Sequence, residues 1–136
     1  HATGAIMGIT RGTKKGHIAR AALESIALRS RDIILEMEKD ANTKFHSLKV
    51  DGGASKNNLL MQIQADLLMT KVIRPKITET TALGAAFFSG LSTEFWPSIN
   101  SIYDMWEEDQ TFVPKSSELT SNIISVWEKR VLKVLS

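Results

Sequence analysis

Ser47-Leu-Lys-Val-Asp-Gly-Gly-Ala-Ser-Lys-Asn-Asn58 is the stretch on which the reading of this chain turns. Ser47 to Asp51 alternates polar and apolar residues over a short span, the period of a half-buried strand, and closes on Gly52-Gly53 as a tight turn. Ser55 is a suitable cap for a helix predicted from Lys56 to about Met69, along which Leu59, Leu60, Ile63 and Leu67 form a broad apolar stripe. Strand, glycine turn and capped helix in direct succession make the first two-thirds of a βαβ unit.

The same grammar extends outward. Upstream, Ala5-Ile-Met-Gly-Ile-Thr10 reads as a strand ending in a Gly/Thr/Lys turn, followed by a long helix from about Lys15 to Asp40. Ile18, Ala22, Ile26 and Ile33 mark its apolar side; Arg20, Glu24, Arg31 and Glu38 mark the polar one. Downstream, Lys71-Val-Ile-Arg74 before Pro75 predicts another strand, and Thr80 or Thr81 caps a helix of small and apolar residues from Ala82 to about Ser92. Pro97 and Pro114 punctuate a less regular stretch in which Gln110-Thr-Phe-Val113 suits an edge strand, and an amphipathic helix is predicted from about Ser117 to Val134. The order βαβαβα predicts an α/β fold with a short parallel sheet and a C-terminal helical extension. Three short strands make a thin sheet, one that would gain from strands the chain does not contain.

Composition agrees and excludes much else. The 136 residues are 43% hydrophobic and 24% charged, with a net charge of +2, which is ordinary for a globular domain and foreign to collagen-like, low-complexity or strongly disordered chains. With no cysteine there is no disulfide scaffold, thiol nucleophile or cysteine-ligated zinc, and a reducing, cytosolic compartment is permitted. No apolar run approaches the roughly 18–20 residues of a membrane helix. The first residues, His-Ala-Thr-Gly-Ala-Ile, show neither a basic nor an apolar leader region and no initiating methionine, so the expectation is a processed chain or a piece of a longer one. A pI near 9.0 invites a nucleic-acid reading. The one basic cluster, Arg11, Lys14, Lys15, His17 and Arg20, has no aromatic residues interleaved to stack bases, so a solvated face is the better account.

Three segments are candidates for function. At Val50-Asp-Gly-Gly-Ala-Ser-Lys-Asn-Asn58, glycines let a flat or charged ligand approach without a Cβ in the way, the next helix N-terminus favours an anion, and Asn57 and Asn58 add amides. Ligands collect at strand carboxyl ends in open α/β sheets, yet a plain strand-to-helix turn satisfies the same spacing. Thr80-Thr-Ala-Leu-Gly-Ala-Ala86 allows a very close helix crossing, or ordinary core packing. At Thr10-Arg-Gly-Thr13, Arg11 either clamps a phosphate, holds an acidic neighbour, or does neither. The remaining candidates are weaker. Gly8 to Lys14 lacks the Gly-Lys-Ser/Thr ending of a phosphate loop. His17 and His46 are too far apart for a metal pair, and Asp51 is placed to order the turn rather than to act as a base. Ser89 and Ser92 lack a nucleophile elbow. Trp96, Trp106 and Trp127 suit packing. No catalytic constellation is complete.

Taken together, Gly8-Ile-Thr-Arg-Gly-Thr-Lys-Lys-Gly-His-Ile-Ala-Arg-Ala-Ala-Leu-Glu-Ser-Ile-Ala27, the Val50–Asn58 turn and Thr81-Ala-Leu-Gly-Ala-Ala86 closely resemble the C-terminal part of the FGGY family of carbohydrate kinases, with its actin-like (ribonuclease H-like) ATPase fold, and within it the glycerol kinases. The resemblance is strong from near residue 1 to about Trp96 and looser through Phe112-Val-Pro114 and the last helix. It implies a nucleotide-binding half over residues 1–96 and a C-terminal extension over 97–136. It implies that Gly53 lies against an adenine nucleotide, that Asn57 offers its side chain to it, and that Gly52 and Ala54 complete the turn. It further implies ATP or ADP with Mg²⁺ not held by this chain, a cytoplasmic homo-oligomeric enzyme, and a catalytic aspartate, glycerol pocket and phosphate loop lying before residue 1. A piece so composed is expected to be inactive alone. The alternatives are another FGGY sugar kinase, a non-catalytic nucleotide-binding or interaction module, and a basic nucleic-acid-binding domain.

Overall fold

The computed structural model describes residues 4–115 and 118–135. Helix α1 spans Lys15–Asp40, strand β1 Ser47–Lys49, a short 3₁₀ turn Gly53–Lys56, α2 Asn58–Leu68, β2 Lys71–Pro75, α3 Thr80–Ser92, α4 Asn100–Tyr103, β3 Glu108–Phe112 and α5 Glu118–Leu135.

The sheet has the order β1-β2-β3. β1 and β2 run parallel, with Leu48 opposite Val72, and are joined through α2 as the βαβ reading requires. β3 adds antiparallel to the other side of β2, with Phe112 opposite Val72, so the sheet is mixed rather than wholly parallel. The strand expected at Ala5–Thr10 does not form: residues 4–10 are exposed and carry no strand pairing. A strand exists only through a ladder partner, and no described segment offers that stretch an edge.

The core lies where α1 and α2 meet over the sheet, and is made by Ala27 and Leu28 from α1, Leu60, Met61, Ile63, Ala65 and Leu67 from α2, Val72 from β2 and Phe112 from β3. Burying one of the larger of these side chains contributes about 1.5–3 kcal/mol relative to leaving it in water. A buried amide bond reinforces the helix pair: Gln64 Nε2 donates to the Ala27 carbonyl at 3.3 Å. α5 packs Ile123, Ile124 and Trp127 against this core, and the Trp127 indole N–H donates to Asp32 of α1 at 3.0 Å.

Two helix ends are closed by different means, one by a side chain and one by the backbone. Buried Glu38 closes α1 by accepting from Lys44 Nζ at 2.6 Å and from the Phe45 N–H at 2.9 Å. α2 ends on Met69 in the left-handed region, φ 52° and ψ 34°, which lets its N–H reach the Ala65 carbonyl. α3 is different. Although its residues are small and apolar, none is buried, and Phe88 is 76% exposed.

Candidate functional site

The glycine turn leaves the carboxyl end of β1, and every group that shapes it can be traced. The Val50 N–H donates to the Ile73 carbonyl at 3.0 Å, carrying the β1–β2 ladder one residue past the strand. Gly52 then takes φ 75° and ψ 173°, a conformation essentially confined to glycine. Its N–H donates to the Thr78 carbonyl at 2.7 Å. Its own carbonyl accepts from the Ser55 hydroxyl at 2.7 Å and the Ser55 N–H at 3.1 Å.

Ser55 is therefore not the cap of α2, as the sequence suggested. The chain first makes the 3₁₀ turn, which points the buried Ser55 hydroxyl back at Gly52, and α2 begins two residues later than expected. Asn57 is the cap instead: its Oδ1 accepts from the Leu60 N–H at 3.1 Å. The amide nitrogen of Asn57 is not used by that bond, and the residue is exposed.

Asp51 orders the turn, as its position suggested. Its carboxylate accepts from the Thr80 hydroxyl, tying the turn to the first residue of α3. Thr80 is consequently spent on Asp51 and does not cap its own helix, whose flanking residue is Glu79. From the other side, Arg74 of β2 donates through Nη1 to the Ser55 carbonyl at 2.9 Å and to Asn58 Oδ1 at 2.7 Å.

These bonds leave one side of the turn open. A Cβ built on Gly52 or Gly53 would meet nothing within 4 Å, and Gly53, Ala54 and Asn57 are exposed. At Gly52 the backbone itself demands glycine; at Gly53 no positive φ does. Beyond the turn, Lys76 pairs with Glu107, an exposed contact that holds the Glu107 carboxyl below, and the Lys76 ammonium above, their ordinary values. Such surface pairs contribute little to stability.

The other sequence candidates are not brought to this turn. Arg11 is exposed and has no ion-pair partner among the described residues. His17 accepts from the Lys14 N–H at 3.2 Å at the start of α1, and no group of three potential metal ligands occurs among the described residues. The tryptophans pack: Trp96 lies edge-on to Phe87 and Phe95 with ring centroids 5.3 and 5.0 Å away, and Lys49 Nζ sits 4.0 Å from the Trp106 ring. An apolar groove of about 690 Å³ lies elsewhere, between residues 4–7, α1 and α5. The residue that sequence reasoning passed over is Arg74. Its signal was a cation inside a short apolar strand, but the acceptors that explain it are distant in sequence.

Residues 1–92 match the C-terminal domain of the FGGY family of carbohydrate kinases. The chain belongs to that family. The glycerol kinase of Deinococcus radiodurans is 50% identical over 134 residues, covering 98% of this chain and 27% of that protein. That of Borreliella burgdorferi is 53% identical over 138 residues, covering 100% of this chain and 28% of its own length. Among solved structures, the glycerol kinase of Plasmodium falciparum with ADP superposes with a TM-score of 0.84 at 34% identity, over 99% of this chain and 27% of that one. This FGGY domain thus spans about a quarter of the length of these relatives, and its α/β architecture is part of their actin-like fold. No helix of the described residues is long and apolar enough to cross a membrane.

Proposed function

We propose that this chain is the nucleotide-binding C-terminal part of a glycerol kinase, which transfers the γ-phosphate of ATP to glycerol and yields glycerol 3-phosphate. The observation that carries the reading is the open glycine face at the end of β1, where the fold would tolerate a side chain at Gly53 and a flat ligand would not. In this reading the backbone of Gly52, Gly53 and Ala54 lies against the adenosine of the nucleotide. Asn57 serves twice: its oxygen caps α2 while its amide N–H groups face the ligand. The ADP bound to the Plasmodium falciparum kinase, over whose fold this chain superposes, supports the assignment.

The turn offers backbone and an amide but no base, since Asp51 is engaged by Thr80. Phosphoryl transfer also needs a base for the attacking hydroxyl and charge stabilisation around the moving group. We assign these, with the glycerol pocket and phosphate loop, to the N-terminal part of the enzyme. Mg²⁺ neutralises phosphate charge when bound with the nucleotide, and the described residues hold no three-ligand cluster of their own for it. The unburied apolar surface of α3 is the face we assign to packing between the lobes. A cytoplasmic, homo-oligomeric enzyme completes the reading.

The test is calorimetric titration of ADP into the full kinase. Gly53→Val, which fills the open face, and Asn57→Ser, which keeps a capping oxygen and removes the amide, should each raise Kd about tenfold or more. Melting temperatures should hold. Unchanged affinity in both variants overturns the site. Glycerol should outperform xylulose and gluconate as phosphate acceptor, and the 136-residue chain alone should show no glycerol-dependent ATP turnover.

A further inference from the structure

Arg74 has the most fully used polar side chain near the turn. It is 9% exposed, and its guanidinium plane carries five short contacts. Nη1 holds the Ser55 carbonyl and Asn58 Oδ1 at 2.9 and 2.7 Å. On its other side, Nε donates to Asp109 Oδ2 at 2.8 Å, and Nη2 reaches the same oxygen at 2.7 Å and Gln110 Oε1 at 3.1 Å. Its carbon also lies 5.5 Å from the centre of the Phe112 ring. The two acceptors on the turn stand on either side of Asn57. Asp109 and Gln110 belong to β3, beyond the stretch that matches the family domain.

A guanidinium is a rigid planar fork, so fixing one edge fixes the other. With Asp109 and Gln110 on one edge, the opposite edge cannot rotate away from Ser55 and Asn58. We propose that Arg74 is a positioning residue for nucleotide binding, braced by Asp109 of β3, which fixes the direction in which the Asn57 amide faces. This rests on the reading of the turn as the nucleotide site. Arg74 touches neither substrate nor reacting atoms in this account; it acts through the backbone that carries Asn57.

Two kinds of variant separate this from a purely structural role. Arg74→Lys keeps the charge beside Asp109, but a single ammonium cannot span both edges. Asn58→Ala removes one acceptor at an exposed position and leaves the core untouched. In the full kinase, each should raise the ADP Kd and the KM for ATP, by about tenfold for Arg74→Lys and about threefold for Asn58→Ala. The kcat and the KM for glycerol should stay within about twofold. Asn58→Asp restores an acceptor for Nη1 and should return the parent affinity. A lowered melting temperature with unchanged KM for ATP in both variants overturns the proposal, because Arg74 would then serve stability alone. Equal weakening by Asn58→Ala and Asn58→Asp also overturns it, since the lost group would be the Asn58 amide N–H. Gly53→Val and Asn57→Ser are the controls. If they weaken ADP while Arg74→Lys and Asn58→Ala do not, the positioning role falls and the site stands. If none of the four weakens ADP, both fall.

Discussion

Replacing Gly52 and Gly53 separately by alanine probes two neighbours that look alike in sequence and differ in physics. At Gly52, φ 75° and ψ 173° lie outside the range of L-residues, so alanine costs on the order of 1–3 kcal/mol in backbone strain. No steric term adds to this, because a Cβ there meets nothing within 4 Å. The strain cannot relax cheaply: the Gly52 N–H is bonded to Thr78 at 2.7 Å and its carbonyl to the Ser55 hydroxyl at 2.7 Å. At Gly53 the backbone is in a 3₁₀ turn and equally uncrowded, so alanine carries no such cost. Both substitutions also stiffen the unfolded chain by about 0.4–1 kcal/mol, a contribution that cancels between them. The two variants should therefore differ by about 1–3 kcal/mol, with Gly53→Ala at or slightly above the parent. Urea unfolding of the chain followed by far-ultraviolet circular dichroism reads this directly, provided the slope with denaturant is unchanged. Equal midpoints for the two alanine variants would refute the reasoning, since the left-handed backbone at Gly52 would then not be enforced. A large destabilisation by Gly53→Ala would refute the other half, that the face is open within the fold.

Met69→Gly should stabilise the chain by about 0.5–1 kcal/mol, because it removes a Cβ from a left-handed cap and returns part of the gain as glycine entropy. Met69 is 56% exposed, so little packing is lost, and a higher urea midpoint is the expected reading; a lower one would show that its side chain matters more than its φ. Glu38 predicts a pH dependence. The Lys44 hydrogen bond, then the Phe45 N–H, hold its carboxyl below the ordinary 4.5, so its stabilisation is full above that pH and fades as pH falls through the lowered value. The parent should melt above Glu38→Gln at neutral pH, with the gap closing in acid below 4.5; a gap that persists unchanged in acid would contradict the assignment.

What could be seen in the sequence was whatever is encoded locally. The helix over Lys15–Asp40 is found within its predicted bounds, but not with the predicted face. Ile18, Ala22, Ile26 and Ile33 are exposed while Ala27, Leu28 and Glu38 are buried, because the partners that choose the buried side, α2 and Lys44, are not encoded in the helix's own spacing. The turn at Gly52-Gly53 was legible because it is encoded locally. The failures share a cause. The Ala5–Thr10 stretch has strand character, but a strand is a relation between two segments, and the described chain supplies no second one. Ser55 and Asn57 are both good caps; a four-residue 3₁₀ turn over Gly53–Lys56 decided between them. Arg74 read as a strand residue because Asp109 lies 35 positions away, and nothing local announces that β3 will fold back antiparallel beside β2.

The turn and the helix α3 that follows it stand in opposite physical conditions. The turn is held from three directions: by Thr78 on the Gly52 N–H, by Thr80 on Asp51, and by Arg74 on Ser55 and Asn58. Its geometry is over-determined by residues of this chain, which is the condition for a preorganised ligand face. α3 has no buried residue, and its Phe88 faces solvent. In the kinase reading, this is the face assigned to packing between the lobes. The two are joined by the Thr80–Asp51 bond, where the first residue of α3 touches the start of the turn, and by the exposed Lys56–Glu79 pair at 3.9 Å beside it. In the same reading these links tie the start of α3 to the nucleotide turn. On its other side the turn is held through Arg74 to Asp109 of β3, so it is anchored to the sheet as well as to α3.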